Sequence, residues 1–186
     1  MILAARSKTH LWRILMTSTA DSNHPRLGVG VIILRNKQVL LGRRKGVRSP
    51  GTYGLPGGYL ENNETFEECA IREVFEETGL RCLSFRPMYL ISGTSDNAHF
   101  ADIIFYTNCE NGKPIVREID RVEKWEWFDL FSLPTSLYNP TKLALKNFLA
   151  NYKFHKIKLF LQRWFPEKRV TILYVDSVTR NEIISK

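Results

Sequence analysis

Residues Gly58–Leu80 read GYLENNETFEECAIREVFEETGL, and this stretch decides what the rest of the chain can be. Glu73, Glu76 and Glu77 are spaced i, i+3 and i+4, which places them on one face of a helix. Like charges at this spacing weaken an isolated helix, whereas a hard divalent cation such as Mg²⁺ takes carboxylate oxygens as ligands. The spacing therefore indicates a metal site or, alternatively, a solvated acidic face.

A capping box and a glycine predict the limits of this helix. Thr65 and Glu68 form the pattern T-x-x-E, in which the two residues satisfy each other's free backbone amides at a helix start. Gly79 is predicted to end the helix as the residue after its last turn. The apolar side is expected to consist of Ala70, Ile71, Val74 and Phe75. The three glutamates are expected to face away from much of it.

The flanking sequence predicts strands and hairpins rather than regular strand–helix repeats. Short apolar or alternating runs predict strands at residues 27–34, 38–41, 85–91, 101–108 and 123–128. Loops are expected at Gly42–Gly54 and Ser92–Asn97, with a tight bend at Leu55–Gly58 where glycine permits close approach to a ligand. A final helix is predicted from about Thr141. This mixture predicts an α+β fold or a mixed-sheet sandwich.

Composition and charge limit the classes of protein. The chain has 186 residues, 44% of them hydrophobic and 25% charged, which suits one globular domain with extensions. No apolar run approaches the roughly 18 residues of a membrane-spanning helix. Three widely separated cysteines fit neither a disulfide framework nor a zinc motif, which favours a reducing, cytoplasmic location.

The net charge of +8 belongs to the ends of the chain. Residues 21–141 carry 14 Lys and Arg against 16 Asp and Glu, whereas residues 142–169 carry eight against one. The charge therefore argues against nucleic-acid binding by the central part and leaves it open for the basic tail.

Three segments are predicted: residues 1–25 as an N-terminal extension, 26–150 as the central domain and 151–186 as a basic C-terminal extension. The first weakly resembles a mitochondrial presequence, although a translation start at Met16 is preferred. Residues 142–165 have a helical, basic and aromatic pattern, for which core packing or a homodimer contact is preferred over membrane or nucleic-acid contact. Residues 170–175 predict a strand.

The opening stretch matches the Nudix box, written G-x5-E-x7-R-E-U-x-E-E-x-G-U with U aliphatic, at every specified position. The matching residues are Gly58, Glu64, Arg72, Glu73, Val74, Glu76, Glu77, Gly79 and Leu80. Such a match is far more specific than a lone glycine motif. Residues 27–149 therefore resemble the Nudix hydrolase superfamily. The segments LGRRKG (41–46), LPGG (55–58) and VEKWEWF (122–128) look most like its MutT-like nucleoside triphosphate diphosphatases.

The resemblance implies an α/β/α sandwich around a mixed sheet and metal-dependent hydrolysis of a nucleoside diphosphate linked to a moiety X. The expected substrate is a (deoxy)nucleoside triphosphate, giving the monophosphate and pyrophosphate, with Mg²⁺ as cofactor and Mn²⁺ as its substitute. A nucleotide-sugar or an RNA 5′ end is the alternative substrate. A nucleotide-binding regulator is the non-enzyme alternative, and the intact glutamates argue against it.

The resemblance also implies roles for individual residues. The expected metal ligands are Gly57 (through its carbonyl oxygen), Glu73, Glu76, Glu77 and Glu123. Glu73 is alternatively the general base, and Glu123 is preferred over Glu118 and Asp120 as the additional ligand or base. Arg72 is expected to orient a catalytic carboxylate, and Glu64 to hold the loop.

Substrate phosphates are expected to contact Arg44 together with Arg43 or Lys45, in the predicted loop before the LPGG bend. Arg26 is a further expected substrate contact. His99 is expected either at the rim of the site or in a structural role.

Overall fold

The computed structural model describes residues 26–46, 48–95 and 98–164. The predictions for residues 1–25 and for the strand at 170–175 lie outside these ranges. The chain divides into two compact units, residues 1–145 and 146–186. The described part of the second unit is the continuation of the last helix. The separate roles of residues 1–25 and 151–186 stay predictions.

The described residues form seven strands and two helices. In chain order they are β1 Arg26–Arg35, β2 Gln38–Arg44, β3 Tyr53–Gly54, β4 Gly57–Tyr59, α1 Phe66–Thr78, β5 Arg86–Ser95, β6 Ala98–Asn108, β7 Val122–Asp129 and α2 Asn139–Trp164. The strands make one sheet in the order β3-β2-β1-β6-β5, with β4 pairing to β1 and β7 to β2. Strand β1 runs parallel to β6 and antiparallel to β2 and β4. The predicted α+β class with a mixed sheet is confirmed.

The two faces of the sheet are covered by different helices. On one face, Val29, Val31 and Phe105 pack in one buried cluster with Ala70 and Val74 of α1. On the other face, the first turns of α2 approach the sheet, where the Tyr89 hydroxyl donates to the carbonyl of Ala144. Thr141 Oγ1 also accepts a hydrogen bond from the amide of Leu55 at 3.0 Å. The LPGG bend is thereby tied to α2.

The structure corrects two predicted loops. Strand β2 continues to Arg44 along β7, and β3 lies within the predicted loop 42–54. In the second case, β5 extends to Ser95 and β6 begins at Ala98, so most of the predicted loop 92–97 is a hairpin. The small polar residues of these two segments form strands because their backbone groups pair with neighbouring strands. Their exposed side chains require no burial.

Helix α1 has the predicted caps. The Thr65 side chain accepts from the Glu68 amide at 3.2 Å, and Glu68 Oε2 accepts from the Thr65 amide at 2.8 Å. Gly79 has φ 71° and donates its amide to the carbonyl of Phe75 at 2.9 Å. Ile71, however, is 46% exposed, so its assignment to the apolar side is wrong.

The N-terminal cap of α1 gives a stability prediction. Replacing Thr65 with Ala should lower the free energy of unfolding by about 1 kcal/mol, because the amide of Glu68 loses the hydroxyl that accepts its hydrogen bond. Urea denaturation followed by circular dichroism measures the change. Thr65→Ser keeps the hydroxyl acceptor and should retain most of the stability. Equal losses in both variants would contradict the role of the cap.

Candidate active site

The centre of the site is a pair of buried carboxylates on α1 that face two glycines of β4. Glu73 and Glu77 are only 3% and 8% exposed, so the expectation that they face away from the packed side is wrong. The amide of Gly57 donates to Glu77 Oε2 at 3.1 Å. A Cβ atom at Gly58 would collide with the carboxylate of Glu73. The box glycine is therefore required because the Glu73 carboxylate occupies the space of a side chain.

The buried pair is short of positive charge. Burial and, next, the charge of Glu73 raise the pKa of Glu77 well above its ordinary value, and the charge of Glu118 adds to this rise. The hydrogen bond from Gly57 and the charge of Arg121 act in the opposite direction. Two like charges in a buried site favour any cation that can bind between them.

Arg72 connects the glutamates of the box to one another. Its Nη1 atom donates to Glu73 Oε1 at 2.7 Å and to Glu76 Oε2 at 3.3 Å. Its Nε and Nη2 atoms donate to the two oxygens of Glu64 at 3.0 and 2.7 Å, and Nη2 also reaches the carbonyl of Tyr59 at 3.2 Å. One guanidinium thus fixes three box carboxylates relative to β4.

Glu64 has the surroundings expected of a residue that holds the loop. Besides Arg72, it accepts a hydrogen bond from the amide of Glu61 at 2.6 Å. The hydrogen bonds from Arg72 lower the pKa of Glu64 to about 2, although partial burial acts against them.

A connecting segment at residues 115–118 is fastened to the C-terminal end of α1 and carries another carboxylate, Glu118. The amides of Ile115 and Arg117 donate to the carbonyls of Thr78 and Glu77 at 2.9 and 3.4 Å. The Arg117 side chain donates to the carbonyl of Phe75 at 3.1 Å and stacks on its ring. These contacts fasten the segment to the C-terminal end of α1, where the next residue, Glu118, acts electrostatically on Glu77.

Glu123, the preferred additional ligand, lies in a different environment. Arg43 Nη1 donates to both of its carboxylate oxygens at 3.0 Å, on the exposed surface. The pairing of β2 with β7 shifts register next to this position, between Arg43 and Arg44. The Glu123 carboxylate is thus paired with Arg43 at the surface.

The expected phosphate-binding residues make contacts elsewhere. Besides the pairing of Arg43, the guanidinium of Arg44 lies 4.2 Å from the ring centroid of Tyr138, and its Nε donates to the carbonyl of Arg48. Lys45 Nζ donates to the carbonyl of Ile119 at 3.3 Å. Each of these hydrogen bonds occupies one donor of its side chain.

Arg26 and His99 lie on strands next to the site. Arg26 begins β1, and its guanidinium lies 5.0 Å from the ring centroid of Tyr59, the residue after the box glycine. His99 is exposed on β6, opposite Thr94. Asp102, a half-buried carboxyl in the middle of β6, is not among the sequence-derived candidates. The sequence feature that could have identified Asp102 is that it is the single charged residue in the apolar run FADIIFY, residues 100–106.

The donor set suits a divalent cation without forming a finished cage. Within the described ranges, no three His, Cys, Asp or Glu side chains already stand in a metal-binding arrangement. The buried oxygens of Glu73 and Glu77 are nevertheless hard ligands, and the single charge of Arg72 beside Glu73 does not balance the two carboxylates. The residues present therefore fit a cation such as Mg²⁺.

Among the described residues, no helix is long and apolar enough to cross a membrane.

The chain belongs to the Nudix family, because the NUDIX domain model matches residues 24–152. It is 33% identical over 122 residues to an ADP-ribose pyrophosphatase of Methanocaldococcus jannaschii, covering 64% of this chain and 71% of the relative. It is 34% identical over 113 residues to the NAD-capped RNA hydrolase NudC of Pseudomonas aeruginosa, covering 60% of this chain and only 39% of that protein. Divalent-metal dependence is general among Nudix hydrolases.

The fold also matches solved Nudix structures. A MutT Nudix hydrolase from Burkholderia pseudomallei superposes with a TM-score of 0.63 at 32% identity, covering 66% of this chain and 97% of that one. The Nudix domain of NrtR from Shewanella oneidensis has a TM-score of 0.62 at 14% identity, which shows a shared fold alone. The predicted Nudix-type fold is confirmed.

The pKa of Glu64 gives a test of the Arg72 network. Because the folded pKa of about 2 lies below the ordinary 4.5, the ionised carboxylate stabilises the fold above pH 4.5, and this stabilisation is lost as the pH falls towards 2. The stability advantage of the wild type over Glu64→Gln should therefore shrink by roughly 2 kcal/mol between pH 6 and pH 3.

Urea denaturation at each pH measures this difference. Glu67→Gln, at an exposed position of the same helix, is the matched control and should show no such dependence. A Glu64→Gln difference that is constant with pH would contradict the network.

Proposed function

We propose that the chain is a divalent-cation-dependent hydrolase that cleaves the diphosphate of a nucleoside diphosphate linked to X. The observation that carries this proposal is the burial of Glu73 and Glu77 together against the glycines of β4. Two buried carboxylates without a full complement of positive charge are costly unless they serve a cation. Cleavage of a diphosphate needs such a cation, because charge on the phosphate oxygens has to be neutralised.

In this proposal the Mg²⁺ ligands come from Glu73, Glu76, Glu77 and the carbonyl oxygen of Gly57, and Mn²⁺ is an alternative ion. The bound ion would supply charge neutralisation and acidify a water molecule. Arg72 would orient Glu73 and Glu76, since one of its nitrogen atoms contacts both. Its positioning role requires the planar guanidinium, which reaches Glu64 at the same time.

Glu118 is the proposed additional carboxylate, in place of Glu123. Its segment is fastened to the end of α1, and its charge raises the pKa of Glu77. Arg121 Nη1 contacts Glu118 Oε2 at 3.2 Å at the surface. In this proposal the Glu118 carboxylate acts as a ligand or accepts the proton of the attacking water.

For X, we propose a sugar group as in ADP-ribose. The contacts of Arg43, Arg44 and Lys45 argue against a triphosphate tail, because each side chain would have to give up a partner to reach it. The similarity to an ADP-ribose pyrophosphatase supports the same choice. A (deoxy)nucleoside triphosphate is the second candidate, supported by the 32% identity to the MutT Nudix hydrolase structure. The cytoplasmic location and a homodimer stay predictions.

Removing one carboxylate tests the proposed reaction. Glu76→Gln and Glu77→Gln should each lower Mg²⁺-dependent turnover by about 10²-fold or more while the circular dichroism spectrum stays unchanged. Mass spectrometry of the products identifies X, because ADP-ribose gives AMP and ribose 5-phosphate, whereas a triphosphate gives pyrophosphate. Glu67→Gln on the same helix is the control. Full activity in both variants would rule out the metal assignment.

A second pair of variants separates the two additional carboxylates. Glu118→Gln should lower kcat by about 10-fold or more, whereas Glu123→Gln should change it by less than about 2-fold. Steady-state kinetics at saturating Mg²⁺ measures both values. A larger loss for Glu123→Gln would restore that residue as the additional carboxylate.

A further inference from the structure

A row of three residues crosses the sheet on the face opposite to Glu73. Gly28 of β1 is in register with Tyr59 of β4 on one side and with Asp102 of β6 on the other. Residues in register across neighbouring strands project from the same face. The next row contains Val29 and Gly58, which face α1. The row of Tyr59, Gly28 and Asp102, here called the β6-side row, therefore faces away from α1.

Asp102 is an unusual residue for this position. It is half-buried in a strand whose neighbouring side chains are apolar, and burial raises the pKa of its carboxyl to about 6. Burial is the only cause of this shift, so neither a hydrogen bond nor a charge from the described residues offsets it. A partly buried carboxyl group without such compensation destabilises a fold, and residues of this kind concentrate at binding sites.

The backbone around Asp102 is shaped to bring it close to the box. A Cβ atom at Gly28 would come within 2.8 Å of Asp102 Oδ1 and 2.7 Å of the carbonyl oxygen of Gly58. Gly28 thus leaves room for the carboxylate against the β1 backbone. Gly58 presents its Cα to Glu73 and its carbonyl oxygen to the β6-side row. Only the backbone of Gly58 lies between the Glu73 carboxylate and the β6-side row.

Aromatic and cationic groups complete this surface. Tyr59 is 43% exposed, and its hydroxyl accepts a hydrogen bond from Arg48 Nη1 at 3.1 Å. Phe100, two residues before Asp102 on the same face, is in register with Arg26. Aromatic rings beside a hydrogen-bond acceptor are the chemistry that binds a nucleobase and its sugar. A free phosphate would instead be repelled by the carboxylate.

We propose that the β6-side row binds the nucleoside part of the substrate, with Asp102 accepting hydrogen bonds from its hydroxyl or amino groups. The inference rests on the proposed function, because it assigns the diphosphate of the same molecule to the box carboxylates. Asp102 is then a specificity-determining residue. The chemistry it recognises is a pair of O–H or N–H donors, supplied either by the ribose diol or by the amino group of the base.

Kinetics with matched substrates distinguishes these two sources. ADP-ribose is compared with analogues that carry 2′-deoxyadenosine or inosine in place of adenosine, and ATP, dATP and ITP form a second series. For the wild type, kcat/KM should fall by about 10-fold for at least one analogue, because a missing donor leaves the carboxylate unpaired. A loss with 2′-deoxyadenosine assigns the ribose, and a loss with inosine assigns the base.

In Asp102→Ala the discrimination should shrink to within about 2-fold, through KM rather than kcat, because the carboxylate that reads the donor is gone. The melting temperature should stay equal or rise, since an uncompensated carboxyl is removed. Glu110→Gln, at an exposed position outside the row, is the control. Discrimination that is unchanged in Asp102→Ala, or a wild type that accepts all analogues equally, would overturn the inference. So would equal losses of kcat for every substrate together with a lower melting temperature.

A binding measurement separates failure of this inference from failure of the proposed function. Isothermal titration with AMP should show affinity about 10-fold lower for Asp102→Ala than for the wild type and Glu110→Gln. If no diphosphate substrate is turned over but this difference is found, the hydrolase proposal fails and nucleoside binding stands. If substrates are turned over but AMP binds all three proteins equally, the role of Asp102 is refuted.

Discussion

The rest of the structure depends on the burial of two like charges, Glu73 and Glu77, against the backbone of β4. Their proximity is unfavourable by itself, and the surroundings are arranged to tolerate it. Arg72 pairs with one carboxylate, and the amide of Gly57 donates to the other. The caps of α1 and the segment that carries Glu118 hold the helix in the register that these contacts require. A cation site is the functional use that the arrangement supports.

The sequence allowed the helix and its acidic face to be predicted because both depend on local spacing. The cap residues and Gly79 lie within one or two turns of the groups that they satisfy, so the local sequence is enough to predict these hydrogen bonds. The burial of Glu73 could not be predicted in this way. It depends on β4 pairing with β1, which places Gly58 opposite Val29 and brings a side-chain-free surface to the helix. Ile71 illustrates the same limit, since an apolar residue in a helix can still face solvent.

The contacts that the sequence did not predict are those between residues that are distant in the sequence. Arg43 and Glu123 are 80 residues apart and pair only because β2 lies beside β7. The choice between Glu118 and Glu123 depends on contacts to the end of α1 that no spacing rule contains. Asp102 could be recognised as a candidate only after the parallel pairing of β1 with β6 placed it next to Gly28. Non-local pairing of this kind is the part of the fold that a single sequence does not display.

The parallel pairing of β1 with β6 has a consequence for how such an enzyme diversifies. Strand β1 contacts the box through β4 and the proposed nucleoside surface through β6, so chemistry and recognition share a scaffold without sharing side chains. Substitutions along β6 can therefore change the substrate preference while the residues of the Nudix box stay the same.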